Sequence, residues 1–268
     1  MAYPYAAPAP ENVLLGKGKI LFDRFNATTG VKEGYVHLGN CDTFELSTED
    51  DVIDNMNSMV AAGGVYKSVT RSRKVTVNIS GFEFSTQALA ISLMGNVATA
   101  TQTTGTSTAE VLSTNLTKGK FYRTSKRGIV SITTAVDISG TTTATLTATT
   151  DYLLYDADSG IIQLPLTSGA TATHTLAATY VYSTLSLDSI QGGMASKIEG
   201  TVVFIPDPAT GPSWEITAWK VSLTPNGAIG FISEDFGKWQ VAGKIMDDTA
   251  GTHGGSAASP YYTAIQTT

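Results

Sequence analysis

The sequence predicts a mainly β protein that carries one flanking helix, and three observations lead there. Short segments alternate apolar with polar residues at a period of two, as at 75–79, where Val75, Val77 and Ile79 interleave with Thr76, Asn78 and Ser80. Threonine crowds the middle of the chain, at 99–104 and 141–150, and a β-branched side chain costs little on a pleated surface. Helical spacing of apolar residues stands out in one place, near residues 86–95.

The strands follow in chain order. Val36 and Leu38, then Phe44 and Leu46, keep one parity on either side of the turn-prone Gly39, Asn40 and Asp42. After 75–79 comes the helix: Ser85 or Thr86 caps it, Leu89 with Leu93 and Ala90 with Met94 lie one turn apart, and Gly95 is placed as the C′ residue. A helix of about ten residues is marginal alone, so its apolar stripe requires a sheet to cover it. In the threonine-rich zone, 152–155 and 161–164 flank the turn 156–160, with Gly160 set for a positive φ. From Trp214 to Leu223 the apolar parity flips between Ala218 and Trp219, the mark of a bulge or of a strand buried on both faces. Trp239, Val241 and Ile245 alternate against Gln240 and Lys244.

Composition divides the 268 residues into zones. Residues 1–98 hold 8 basic and 10 acidic side chains, 99–184 hold 5 and 5, and 185–268 hold 4 and 8. The neutral middle reads as an insertion: 99–188 is an inserted β-module, and 16–98 with 189–248 build the main domain. The Pro/Ala-rich 1–15 and the Gly/Ser-rich 249–268 read as terminal arms.

Charge and motif exclude several functions. A net charge of −6 argues against sequence-independent nucleic-acid binding, which needs a basic stripe. No run reaches the roughly 18 apolar residues of a membrane-spanning helix, and the first ten residues have neither the basic start nor the apolar run of a signal peptide. One cysteine, Cys41, leaves no internal disulfide or multi-cysteine zinc site, and it reads as a small, partly buried thiol. His37, His174 and His253 show no metal-ligand spacing, and His174 reads as an ordinary surface residue. The run 156–160 begins like a calcium loop but lacks the later oxygen ligands, so a hairpin turn explains it. Gly16 to Lys19 lacks the P-loop spacing, and no G-x-S-x-G elbow exists. No catalytic residue, cofactor site or metal site emerges, and the expectation is a non-enzyme.

The charged stretch 47–54 remains, with Glu49, Asp50, Asp51 and Asp54, followed by Met56 and Met59 and then by Lys67. It reads as a polar loop over 47–68, long for a hairpin connection. Arg71 and Arg73 share the parity of Val75 and Val77, which predicts two cations on the core-facing side beyond the apolar stretch. Either they reach solvent past the edge of the sheet, as in a plain solvated hairpin end, which charge alone favours, or they meet an acidic partner. The acidic run is available for that, in the same chain or in a neighbouring copy. Exposed Met beside charge of both signs suits a subunit contact, since interfaces favour Met and Arg.

On its order of parts the sequence resembles the tail tube (major tail) proteins of long-tailed bacteriophages. The residues that carry this are 16–24, 34–46, the stretch through Ser58 and Tyr66, 75–79 and the helix, then 200–204, 214–223, 223–227 and 239–245. The resemblance implies a β-sandwich or half-barrel with a flanking helix, six copies to a ring, and rings stacked into a hollow tube through which DNA passes. It implies as partners further copies of the chain, a tape-measure protein in the lumen, tip and terminator proteins at the ends, and DNA in transit without specific binding. It places the protein in the virion, made in the bacterial cytoplasm, with no membrane partner. The module 99–188 departs from the family's minimal pattern and belongs on the outside of the tube. The alternative is a monomeric, two-domain β-sandwich module that binds carbohydrate or a cell surface. For it Tyr152, Tyr155, Tyr180 and Tyr182 are candidates, although strand packing explains them more simply.

Overall fold

A computed structural model describes residues 12–267. Before the insertion the chain forms β1 (Gly18–Phe25), β2 (Lys32–His37), β3 (Cys41–Met56), β4 (Val65–Gly81), α1 (Thr86–Ser92) and β5 (Asn96–Gln102). The next strands are β6 (Gly105–Ser113), β7 (Phe121–Arg123), β8 (Ile129–Ser139), β9 (Thr142–Leu146), β10 (Leu153–Asp156), β11 (Ile161–Gln163) and β12 (Thr175–Tyr182). The chain ends through β13 (Leu185–Gln191), β14 (Ile198–Pro206), β15 (Ser213–Pro225), β16 (Trp239–Ile245) and β17 (Tyr262–Thr267). The fold is mainly β, and its named strand pairings are antiparallel. Residues 98–189 form one unit and the flanking chain forms another. β5 and β13, where the chain crosses between them, pair as a two-stranded ribbon.

The flanking unit is one eight-stranded sheet in the order β2-β1-β14-β15-β16-β4-β3, with β17 also on β15. Cross-strand register puts Phe22, Val202, Ala218, Val221, Val241, Ile79 and Val77 on one face, which is the core. The sheet curls around that face. Phe44 on edge strand β3 stacks on Phe204 of β14, with ring centroids 5.1 Å apart, although three strands lie between β3 and β14 in the sheet. It stays open, because β2 and β3 pair elsewhere and not with each other. Gly243 permits tight packing at a core-facing position, where a Cβ would sit 2.7 Å from Val221 and 2.9 Å from Val77.

The parity flip in β15 is a bulge. Gly200 pairs with Val221 and Val202 with Ala218, so Trp219 and Lys220 together oppose Thr201, whose hydroxyl donates to the Trp219 carbonyl at 2.8 Å. There β15 also changes partner, from β17 along 213–218 to β16 along 221–225.

α1 lays Ala88 and Ile91 into the core. Ser85 caps it by accepting from the Ala88 amide at 3.2 Å. The left-handed residue at its end is Met94 (φ 48), one position before the expected Gly95. The Gly95 amide reaches the Ala90 carbonyl at 2.7 Å and that of Met94 reaches Ile91 at 3.2 Å, a Schellman ending. Gly95 is needed for a different reason: a Cβ there would lie 2.7 Å from Ile190.

Both expected arms need revision. Residues 1–11 of the first lie outside the described residues. Beyond them Leu15 is fixed, its amide donating to the Thr210 carbonyl at 3.0 Å. The stretch 249–268 is no free arm, since it ends in β17 along β15. The turn before that strand folds on Asp248, which is buried and accepts from the His253 and Gly255 amides at 2.9 and 2.8 Å. The His253 ring stacks on Phe25 at 4.0 Å.

The inserted unit has a four-stranded sheet, β6-β12-β8-β9, and a three-stranded one, β10-β11-β7. Ala178 and Tyr180 of the first and Ile162 of the second join one apolar cluster. Threonines take solvent-facing positions, as in β9, where residues 142–145 are exposed and Leu146 is buried. The 156–160 turn is closed by its own chain: the Asp156 carboxylate accepts from the Asp158 amide at 3.1 Å, and Gly160 has φ 68. His174 is no ordinary surface residue, since its Nδ1 lies 2.8 Å from the buried carboxylate of Asp137.

Candidate functional site

The expected loop 47–68 is a hairpin. β3 and β4 continue pairing far beyond the core, through Thr48↔Val75, Asp50↔Arg73, Ile53↔Val69 and Asn55↔Lys67 to Met56↔Val65. Only 57–64 is turn. Residues 65–74 are exposed throughout, as is nearly all of β3 from Ser47 onward. Strands usually bury at least one face, and the distal half of this ribbon buries neither.

The hairpin collects all nine residues expected at a subunit contact. Glu49, Asp50, Asp51, Asp54 and Met56 lie on β3, Lys67, Arg71 and Arg73 on β4, and Met59, 77% exposed, in the turn. Within the chain, the Arg73 guanidinium holds Asp50 with two bonds, Nε to Oδ1 at 2.7 Å and Nη2 to Oδ2 at 3.0 Å. Arg71 pairs with Asp51, 3.2 Å from Nε to Oδ2. The hydrogen bond and charge of Arg73 hold the Asp50 carboxyl below its ordinary range. The expectation that both arginines share the core-facing side fails. Asp50 and Asp51 are neighbours on a strand and face opposite ways, and each takes one arginine. The cause is a register shift between Asp51 and Val52, which inserts Arg71 as an extra residue on β4.

The charges obscured an apolar contribution. Val52, Ile53, Val60, Val65, Tyr66 and Val69 are all exposed on this hairpin, and Ile53 and Val69, at 54% and 52%, stand directly opposite each other. The signal was present as β-branched residues on both sides of a Gly63–Gly64 turn. Exposed contiguous apolar surface of this kind marks interaction sites.

Little else among the described residues suggests chemistry. No cluster of three His, Cys, Asp or Glu is placed to hold a metal, and no helix is long and apolar enough to cross a membrane. The Cys41 thiol is pushed up to about 11 by burial, with the Asp42 and Glu83 charges adding to it, so it is a poor nucleophile at neutral pH. An apolar cleft of the flanking unit, about 310 Å³, runs between the start of β1, the start of β3 and the β14–β15 connection.

The chain is a member of the family described as Protein of unknown function UCP028589, whose sequence model matches residues 13–264. The match thus runs through both units. Comparison with curated proteins finds no match.

Proposed function

We propose that the chain is a structural virion protein of the tail-tube type, which assembles with copies of itself into rings, six to a ring, stacked as a hollow tube for DNA. The observation that carries this reading is the β3–β4 hairpin. An isolated domain gains nothing from a two-stranded ribbon that extends β-branched and methionine side chains into water. A neighbouring copy supplies the surface that covers them. The open sheet supports the same reading: its edge strands β2 and β3 leave backbone groups free to pair across subunits. The net charge of −6 gives a wall that repels phosphate, so DNA slides through without sticking. In this reading the inserted unit decorates the exterior, tape-measure, tip and terminator proteins are the other partners, and the virion is the final location.

The test is negative-stain electron microscopy of the concentrated chain beside an Ile53→Asp, Val69→Asp variant. Stacked rings or tubes from the parent, and dispersed folded protein from the variant, support the reading.

A second reading, a monomeric module that binds glycan, has one observation in its favour. Tyr152 and Tyr180 are buried, but Tyr155 is 61% exposed and meets exposed Phe121 edge to face, ring centroids 4.9 Å apart. Leu153 joins them on the solvent face of the three-stranded sheet, since it and Phe121 both pair with Gln163. Binding of the full chain on a glycan array, lost in Tyr155→Ala, would favour this reading.

A further inference from the structure

The core face of the flanking sheet ends in the apolar cleft. Ile20, Phe204 and Ile216 stand side by side on β1, β14 and β15, and Gly18 with Pro206 forms the next row outward. Trp214, two residues before Ile216, lies on the same face and is 39% exposed. With Phe44 of β3 these residues form a cavity of about 310 Å³. Gly16 and Gly18 bring no side chain into it, and a Cβ on Gly18 would lie 2.6 Å from the Phe204 ring. Two further prolines, Pro208 and Pro212, complete the walls. Of the charged groups in the lining, Asp42 pairs with Lys238, and Lys17 stands opposite Asp207, whose amide donates to the Lys17 carbonyl at 2.7 Å. The cleft therefore calls for an uncharged, apolar occupant.

A segment of that character is attached at its lip. Leu14 is one wall of the cleft. The chain there is held along the β14–β15 connection, since the Leu15 amide donates to the Thr210 carbonyl at 3.0 Å and the Ala209 amide to the Leu15 carbonyl at 3.1 Å. Asn12, two residues before Leu14, is where the described residues begin. Residues 1–10 read Met-Ala-Tyr-Pro-Tyr-Ala-Ala-Pro-Ala-Pro, with no charged side chain before Glu11. Proline at 4, 8 and 10 favours polyproline II for this stretch, and eleven residues in that form span about 34 Å at 3.1 Å each. At three residues per turn, Tyr5 and Pro8 fall on one ridge. Grooves walled by aromatic rings are the usual receptors of such segments.

We infer that residues 3–10 dock in the cleft at the end of their own chain's core, with Tyr5 and Pro8 against Phe204 and Trp214. Attachment favours the chain's own segment over that of a second copy, because a short tether gives an effective concentration in the millimolar range. Proline stiffness also lowers the entropy lost on docking. The contact uses neither the sheet edges nor the β3–β4 hairpin, and it does not rest on the self-assembly reading.

Photo-crosslinking of the dilute full chain tests it. With p-benzoylphenylalanine in place of Tyr5, irradiation should give adducts within the monomer, mapped by mass spectrometry to residues of the lining such as Phe204 and Trp214. A second readout removes the apolar side chains. Tyr3→Ser with Tyr5→Ser should raise the binding of an apolar fluorescent dye severalfold at unchanged circular dichroism. It should also speed modification of Cys41, another residue of the lining. Adducts only between copies, adducts confined to residues outside the cleft, or no adducts at all would overturn the contact. So would a double variant that binds dye and exposes Cys41 like the parent. Tubes whose adducts all join different copies would sink the contact and leave the tube reading standing. Adducts within monomers that never form tubes would do the reverse.

Discussion

Arg73 and Asp50 face each other across the β3–β4 ladder and share two hydrogen bonds, 2.7 and 3.0 Å, far out on a ribbon that buries neither of its faces. The pair is solvent-screened, so it stabilises the fold little. Its consequence is local: with Arg71–Asp51 on the opposite face, it ties β3 to β4 on either side of the bulge at Arg71.

Reversing both cations separates folding from assembly. Arg71→Glu with Arg73→Glu should keep the parent's circular dichroism and shift the melting temperature by less than about 2 °C, as expected of exposed charges. The same variant should fail to polymerise, because four repelling carboxylates replace two pairs. Polymers indistinguishable from the parent's would remove these residues from the interface.

The apolar pair on the ribbon gives a sharper separation. Ile53→Asp with Val69→Asp should cost less than about 1 kcal/mol per residue in urea unfolding, since cross-strand pairs contribute about 0.2–1 kcal/mol. Light scattering during concentration should then show no assembly.

Gly243 tests the packing of the curled sheet. Gly243→Val pushes branched methyls into Val221, Leu223 and Val77, and overpacking of this kind costs about 1–3 kcal/mol. The unfolding free energy should fall by that amount, read as a lower urea midpoint at unchanged slope. An unchanged midpoint would mean that the concave face has slack there.

Acid should loosen the chain end around Asp248. Burial pushes its carboxyl upward, but the amides of Gly255 and His253 outweigh this and hold it below the ordinary range. A depressed carboxyl contributes stability that is complete above its unfolded value of about 3.9 and is lost as pH falls through the folded one. Burial also lowers His253, so its contribution is complete above about pH 6.5 and fades as pH falls below that. Protection of the β17 amides, taken relative to the intrinsic exchange rate at each pH, should therefore fall first below about pH 6.5 and again below about pH 4. Asp248→Ala should abolish the second step, and at pH 7 should cost about 1–3 kcal/mol through the unsatisfied amides.

Cys41 offers a check on burial. With its thiol pushed up to about 11, labelling by a disulfide reagent should be slow at pH 8 and should accelerate up to pH 11. Fast labelling at neutral pH would show that the start of β3 opens readily.

The sequence made the core strands readable because each buries one face. Val75, Val77 and Ile79 advertise their strand, and Trp239, Val241 and Ile245 do so across the gap at Gly243. The flip at Ala218 and Trp219 left a bulge and a strand buried on both faces open, and the register decides for the bulge. The distal hairpin was hidden for the same physical reason. A ribbon exposed on both faces has no alternation, so Glu49 to Asp54 looked like a loop and Arg71 looked like a neighbour of Arg73 on one face. The inserted Arg71 follows from register, which pairing sets and local sequence does not. β17 was hidden by its small and polar residues, because its place comes from hydrogen bonds to β15 and not from an apolar face. Phe231, Ile232 and Phe236, between β15 and β16, are hidden for the converse reason: they resemble core residues in the sequence, and only the fold leaves them outside.

The central claim is that this chain works by covering its own exposed surfaces with copies of itself. Negative-stain electron microscopy of the purified, concentrated full chain tests that most directly. The account predicts hollow tubes or stacked rings with a central hole, absent from the Ile53→Asp, Val69→Asp variant. Dispersed monomers from the parent at every concentration, seeded or not, would contradict it.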